Sequence, residues 1–307
     1  MSRVTIVPSV GLSGASGRTG FLGRAADYIE LTKPRIVALE LVTVVVAAHL
    51  ASPWGIQPLV LLHTVLGAAL VAASAGAFNQ WWEEATDARM VRTASRPLPS
   101  GRLTSSQVIL FGAGALVVGW VELLVGVGLL TANVALATWL VYVLAYTPLK
   151  IRSPLNTAVG AISGSLPILI GWTATGAVID MRALALVAVM FLWQFPHFMA
   201  IAWLYRADYT RGGQRMLTVV DPTGLRAGAQ ALIGALALVP VSLVPAMSRQ
   251  AGSPAIYCGW ALALGAAQVV AAALFLIRRD DRSARRLLRA SLVYLVCWMG
   301  LLLMVSC

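Results

Sequence analysis

The chain has 307 residues, of which 59% are hydrophobic and 11% charged, with a formal net charge of +11. Ordinary soluble domains carry about 25% charged residues, so a water-soluble globular protein is excluded. The excess of Lys and Arg reads as a membrane-topology signal, and no nucleic-acid partner is expected.

Residues 1–27 form a Gly-, Ser- and Arg-bearing stretch without a long apolar core, which excludes a cleaved secretory signal and predicts a flexible cytoplasmic tail. Nine apolar runs follow, at 36–52, 57–79, 106–126, 128–146, 156–176, 181–203, 227–247, 254–277 and 287–305. Their lengths suit helices crossing a bilayer, which need about 20 residues each. The fold class is therefore all-α: a polytopic bundle of nine transmembrane helices forming one intramembrane domain over 1–307. Small-residue runs such as 72–77 and Gly160-x-x-x-Gly164 are expected to let helix backbones approach closely. Cys258, Cys297 and Cys307 show no CxxC or metal-type spacing and read as inert.

Counting Lys and Arg between the spans places 21 of 23 on one side, with only Arg182 and Arg249 opposite. That side is cytoplasmic by the positive-inside rule, so the N-terminus is inside and the C-terminus outside. A bacterial cytoplasmic membrane is the expected location, with the mitochondrial inner membrane as the alternative.

The polar residues of three loops fall on this same side. After the second span, NQWWEEATDARMVRTASRPLPSG (79–101) places Asn79, Glu83 and Asp87 at i, i+4 and i+8. On a continuing helix successive members of this set lie roughly 40° around and about 6 Å along the axis from one another. An amide oxygen and two carboxylates so placed suit Mg²⁺, which prefers oxygen ligands shared with substrate phosphates. Arg89, Arg92 and Arg96 follow in the same stretch. After the fourth span comes AYTPLKIRS, with Tyr146 and Lys150. After the sixth comes LYRADYTRGGQRML, with Asp208 and Arg211. Acids that hold a metal and guanidinium groups that grip phosphate oxygens would together serve an anionic diphosphate.

These segments resemble intramembrane UbiA-type prenyltransferases, and within them the branch that prenylates haem. The resemblance rests on N-x-x-x-[DE]-x-x-x-D at 79–87 with the following RTASRPLP, and on YIELTKPRI at 28–36. It rests further on YTPLK at 146–150, WQFPHF at 193–198 and DYTRGGQRML at 208–217. It implies a helical bundle around a central cavity, and transfer of a farnesyl group from farnesyl diphosphate to a vinyl of haem B, giving haem O. It also implies Mg²⁺ on Asn79, Glu83 and Asp87, with Asp208 as a further ligand. Arg89, Arg92, Arg96, Lys150 and Arg211 become candidate diphosphate contacts, and Tyr146 and Lys150 a catalytic pair. The second DxxxD motif of the superfamily is incomplete, because Leu204 precedes Asp208 by four residues.

Trp193 and His197, within the sixth span, are candidate haem contacts. Ionisable residues inside spans are functional by default, and His63, His49, Glu40 and Glu122 also fall within spans without an assigned role. Haem A synthase or cytochrome oxidase assembly proteins are conceivable partners. The alternatives to haem farnesylation are an aromatic, quinone-type acceptor and a haem-binding carrier.

Overall fold

The computed structural model describes residues 20–52, 55–247 and 254–306. In chain order the helices are α1 (Phe21–Leu31), α2 (Pro34–Ala51), α3 (Pro58–Trp82), α4 (Glu84–Asp87) and α5 (Ser105–Gly126). There follow α6 (Leu129–Leu140), continued by a π-helical stretch Val141–Tyr146, then α7 (Thr147–Leu149), α8 (Asn156–Ser165) and α9 (Pro167–Ala174). The chain goes on with α10 (Met181–Leu204), α11 (Arg206–Gly212), α12 (Leu217–Val220) and α13 (Leu225–Leu243). It ends with α14 (Pro254–Arg278) and α15 (Asp281–Ser306). Among the described residues, nine helical segments are long and apolar enough to cross a membrane.

Local chemistry sets where the helices begin. Pro34 and Pro58 occupy first-turn positions, where the missing N–H costs nothing. Thr104 and Gln107 form a reciprocal capping box at the start of α5. Asp180 accepts from the backbone N–H groups of Arg182 and Ala183 at the start of α10.

Packing runs as a circuit. Helix α2 contacts α3, α3 contacts α5, and α5 contacts α6; α6 and α2 both contact α9. Helix α8 meets α10, which packs on α13 and α15. Helix α14 fills the angle between α13 and α15, and α15 returns to α2. Large apolar side chains on outer arcs, such as Val42, Leu62, Leu110, Val118, Val270 and Val296, remain exposed, as a lipid-facing surface requires.

Four sequence expectations change. Phe21–Leu31 is helical where a tail to residue 27 is expected; residues 1–19 lie outside the described residues. Asp27 in that helix is buried, held by Arg102 at 2.9 Å. The polar stretch 278–286 is helix apart from Arg279 and Asp280, so α15 begins six residues before the apolar run. Its charged first turns carry the helix beyond the apolar layer, which hydropathy alone does not detect. The fifth span is two helices, broken at Leu166 before Pro167. Finally, α3 stops at Trp82 with Glu83 in a non-helical cap conformation, so Asn79, Glu83 and Asp87 do not share one continuous helix. Cys258 and Cys297 are free thiols, and Cys307 lies outside the described residues.

Candidate active site

At the end of the bundle that carries α1, α4, α7 and α11, the α1–α2 junction, α4 and α7 converge on the last turn of α3. Asn79 is fully buried. Its carboxamide oxygen accepts from Lys33 Nζ, and its Nδ2 donates to Thr147 Oγ1 at 3.0 Å. The Thr147 hydroxyl in turn donates to the Tyr142 carbonyl at 2.9 Å, which also accepts from the Thr147 backbone N–H at the end of the π-helical stretch. This relay fixes which way the Asn79 amide faces. Lys33 takes a left-handed backbone conformation, φ 52, just before Pro34, a strained choice for a non-glycine residue. Burial, with Arg96 and Lys150 nearby, lowers its pKa to about 7 against the pull of Glu83 and Asp87.

Glu83 is buried and lies 2.7 Å from Lys150 Nζ. That ammonium also sits 4.5 Å from the centroid of the Tyr146 ring. Burial alone would depress the Lys150 pKa, but the Glu83 carboxylate and the Tyr146 and Tyr142 phenols outweigh it, and the net shift is upward. Tyr146 lies where it does because Gly160 leaves room: a Cβ there would stand 2.7 Å from the ring. Gly164, one turn on, gives the same freedom to the Gln194 carboxamide, whose Nε2 donates to Ala161 O at 3.0 Å. The Gly-x-x-x-Gly pair thus seats two polar or aromatic side chains rather than a bare helix backbone.

Asp87 is fully buried and pairs with Arg96 through Oδ2, while its Oδ1 has no hydrogen-bond partner among the described residues. Burial raises its pKa, with the Arg96 guanidinium acting in the opposite direction. Thr93 Oγ1 donates to the Asp87 carbonyl at 2.9 Å, folding the arginine loop back over the site.

The other loops dock on this one. Arg89 donates to Gly212 O at 3.2 Å, and the Arg92 guanidinium sits 5.1 Å from the Tyr205 ring centroid. The Arg215 N–H donates to Lys150 O at 2.6 Å, while Asn156 Nδ2 donates to Arg215 O at 3.1 Å. The three loops that the sequence places on one side do meet.

The sequence candidates divide accordingly. Asn79, Glu83, Asp87, Arg96, Tyr146 and Lys150 are linked by direct contacts or shared neighbours, with Arg89 and Arg92 on the adjoining loop. Asp208 pairs instead with Arg211 at 3.0 Å. Among the described residues no three His, Cys, Asp or Glu side chains form a metal cluster, so Asp208 is not gathered with Glu83 and Asp87. Trp193 and His197 point at α15: Trp193 Nε1 donates to Ser291 O at 2.6 Å, and His197 Nδ1 lies 2.9 Å from Ser291 Oγ. Their rings stack on each other with centroids 4.8 Å apart. His63 pairs with Glu122 at 2.8 Å between α3 and α5, and His49 is exposed.

Sequence reasoning passes over Lys33, Thr147 and Tyr142. Lys33 stands in the YIELTKPRI segment, but nothing in its spacing relates it to Asn79, 46 residues later.

The family model described as the UbiA prenyltransferase family matches residues 41–298. The chain belongs to the UbiA prenyltransferase family. Among its relatives, a protoheme IX farnesyltransferase of Solibacter usitatus is 42% identical, over 91% of this chain and 98% of the relative. One of Rhodopirellula baltica is 43% identical, over 87% and 95%. Solved UbiA-type structures share the fold at low identity. A digeranylgeranylglyceryl phosphate synthase has a TM-score of 0.73 at 18% identity, covering 92% of this chain and 98% of that one. A UbiA homologue of Archaeoglobus fulgidus, bound to DMAPP and Mg²⁺, has a TM-score of 0.64 at 15% identity, covering 91% and 99%.

As for a metal, the residues fit one. A buried amide oxygen and two buried carboxylates are hard ligands of the kind Mg²⁺ takes, and Asp87 Oδ1 is a buried acceptor with no hydrogen-bond donor among the described residues.

Proposed function

We propose that this chain is a multi-pass membrane enzyme, one intramembrane domain, that transfers farnesyl from farnesyl diphosphate to a vinyl group of haem B, giving haem O and diphosphate. The observation that carries the reading is the buried Asn79–Glu83–Asp87 set at one end of the bundle, each member tied to a cation from elsewhere in the chain. Family membership and relatives bearing the protoheme IX farnesyltransferase name select haem as acceptor.

Asn79, Glu83 and Asp87 would hold Mg²⁺, which when bound supplies Lewis-acid stabilisation of the departing diphosphate. Lys33, Lys150 and Arg96 stand against those same acids, so an arriving diphosphate exchanges its phosphate oxygens for carboxylates as their partners. Arg89 and Arg92 extend the cationic wall along the loop, and Asp208 with Arg211 borders it on α11. Fixed positive charge, buried away from water, favours cleavage of the allylic carbon–oxygen bond as negative charge grows on the leaving group. Tyr146 carries Lys150 on its ring face and holds it in register.

His197 and Trp193, held against α15, border the acceptor's position deeper in the bundle. The positive-inside count supports an N-terminus and a site at the cytoplasmic face of a bacterial inner membrane. Haem A synthase or oxidase assembly proteins are the partners this product invites.

Purified protein incubated with haem B and farnesyl diphosphate, with and without Mg²⁺, tests the reading by the mass of the product. A farnesylated, hydroxylated haem formed only with Mg²⁺ is expected. No new haem species would overturn the proposal.

A further inference from the structure

Glu40 is a carboxylate inside the first span that the diphosphate chemistry does not use. It lies on α2, seven residues after Lys33, which is two helical turns or about 10 Å along the axis and on the same face. That face is the inward one. Thr43, Val44 and Ala47 on it are buried, whereas Ala38, Val42, Val45 and His49 on the opposite arc are exposed. One turn beyond Glu40, the α9 backbone comes so close that a Cβ on Gly171 would lie 2.0 Å from Val44 O. Glu40 is half-buried on this arc, at the end of it nearer Lys33. It makes no hydrogen bond or ion pair among the described residues.

Side chains on a helix lean towards its N-terminus, and the N-terminal end of α2 is the site end. The Glu40 carboxylate is thus carried about one turn back towards the layer where Lys33 meets Asn79.

Resting on the haem-farnesylation reading above, we propose that Glu40 is the catalytic base that takes a proton from the water completing the reaction. The allylic carbon–oxygen bond breaks and its electron pair leaves on diphosphate. The terminal vinyl carbon bonds to the allylic carbon, and positive charge is left on the vinyl carbon attached to the porphyrin. The oxygen of a water molecule bonds to that carbon, and one of its protons passes to a Glu40 carboxylate oxygen. Without a base aimed at the water, the same cation instead discards a proton from the neighbouring carbon, giving an alkene lighter by one water.

The test is product partition in Glu40→Gln, Glu40→Ala and Glu40→Asp, read by mass spectrometry beside diphosphate release and the KM for farnesyl diphosphate. In Glu40→Gln and Glu40→Ala, diphosphate release and KM should stay within about twofold of wild type. The hydroxylated share should fall at least about tenfold in favour of the dehydrated product, in keeping with the usual size of general-base effects. Glu40→Asp should restore part of it. An unchanged partition overturns the assignment. So does a parallel fall in diphosphate release and both products, which marks a structural role. A wild-type enzyme that makes no farnesylated haem would instead sink the parent reading, so the two failures are distinguishable.

Discussion

Lys150 Nζ lies 2.7 Å from Glu83 Oε1, with both side chains nearly removed from solvent. Removing one member of such a pair leaves the other as an uncompensated buried charge, at a cost of about 3–5 kcal/mol. Lys150→Met should therefore lower the melting temperature in detergent more than Lys150→Met combined with Glu83→Gln, which removes both charges. Both variants should lose farnesyl transfer, since both lack a cation at the diphosphate. A double variant less stable than the single one would mean that the pair does not carry the local energetics.

Asp87 presents one oxygen to Arg96 and leaves the other without a hydrogen-bond partner among the described residues. Asp87→Asn keeps the shape and the Arg96 contact but removes the charge that a divalent cation needs. Turnover should drop by about a hundredfold or more, the usual scale for losing a preorganised electrostatic group. Membrane insertion and expression should stay at wild-type levels. Chelating Mg²⁺ from the wild-type enzyme should stop diphosphate release, and restoring it should bring the activity back. Wild-type rates in Asp87→Asn would discard the metal assignment.

Much of this was legible in the sequence for a simple reason. Bilayer thickness sets the length of every span, and the alternation of Lys- and Arg-bearing loops sets which loops share a side. What escaped was backbone behaviour that hydropathy does not encode. Helix α3 ends one residue before Glu83, so the i, i+4, i+8 reading of Asn79, Glu83 and Asp87 assumes a continuous helix that the backbone does not make. Nothing in VYVLAY announces a π-helical turn, yet that turn brings both the N–H and the hydroxyl of Thr147 onto the Tyr142 carbonyl and, through Thr147, orients Asn79. The reach of Lys33 to Asn79 depends on a left-handed residue before a proline, a feature visible only in three dimensions. His197 is a haem-contact candidate from its place in WQFPHF, and its packing against Trp193 and Ser291 is another relationship that hydropathy does not encode.

Gly160 supplies a test of positioning that leaves every charge in place. A methyl group there would meet the Tyr146 ring, so the ring must shift by several tenths of an ångström and take the Lys150 ammonium with it. Gly160→Ala should insert normally but lose about tenfold in kcat/KM for farnesyl diphosphate, a modest displacement being costly at a preorganised site. Adding Tyr146→Leu should not restore activity, because the ring that carries Lys150 is then gone. Equal kinetics in Gly160→Ala and wild type would show that the Tyr146–Lys150 register does not matter.

Asp280, just before α15, accepts from the Ser283 backbone N–H and from its hydroxyl, each at 2.7 Å. The backbone bond, followed by the hydroxyl bond and the nearby Arg278 and Arg282, holds its pKa below the usual carboxylate value. A folded-state pKa below the unfolded one contributes stability that is complete above the unfolded value of about 4 and disappears as pH falls through the folded value. Asp280→Asn keeps a good capping residue but no titratable charge. Wild type should therefore melt at a higher temperature than Asp280→Asn at neutral pH, and the gap should narrow as pH drops below about 4. Because other carboxylates titrate in both proteins, the difference between the two melting curves is the quantity that isolates Asp280. A gap that stays constant to the lowest accessible pH would show that the cap does not depend on the charge.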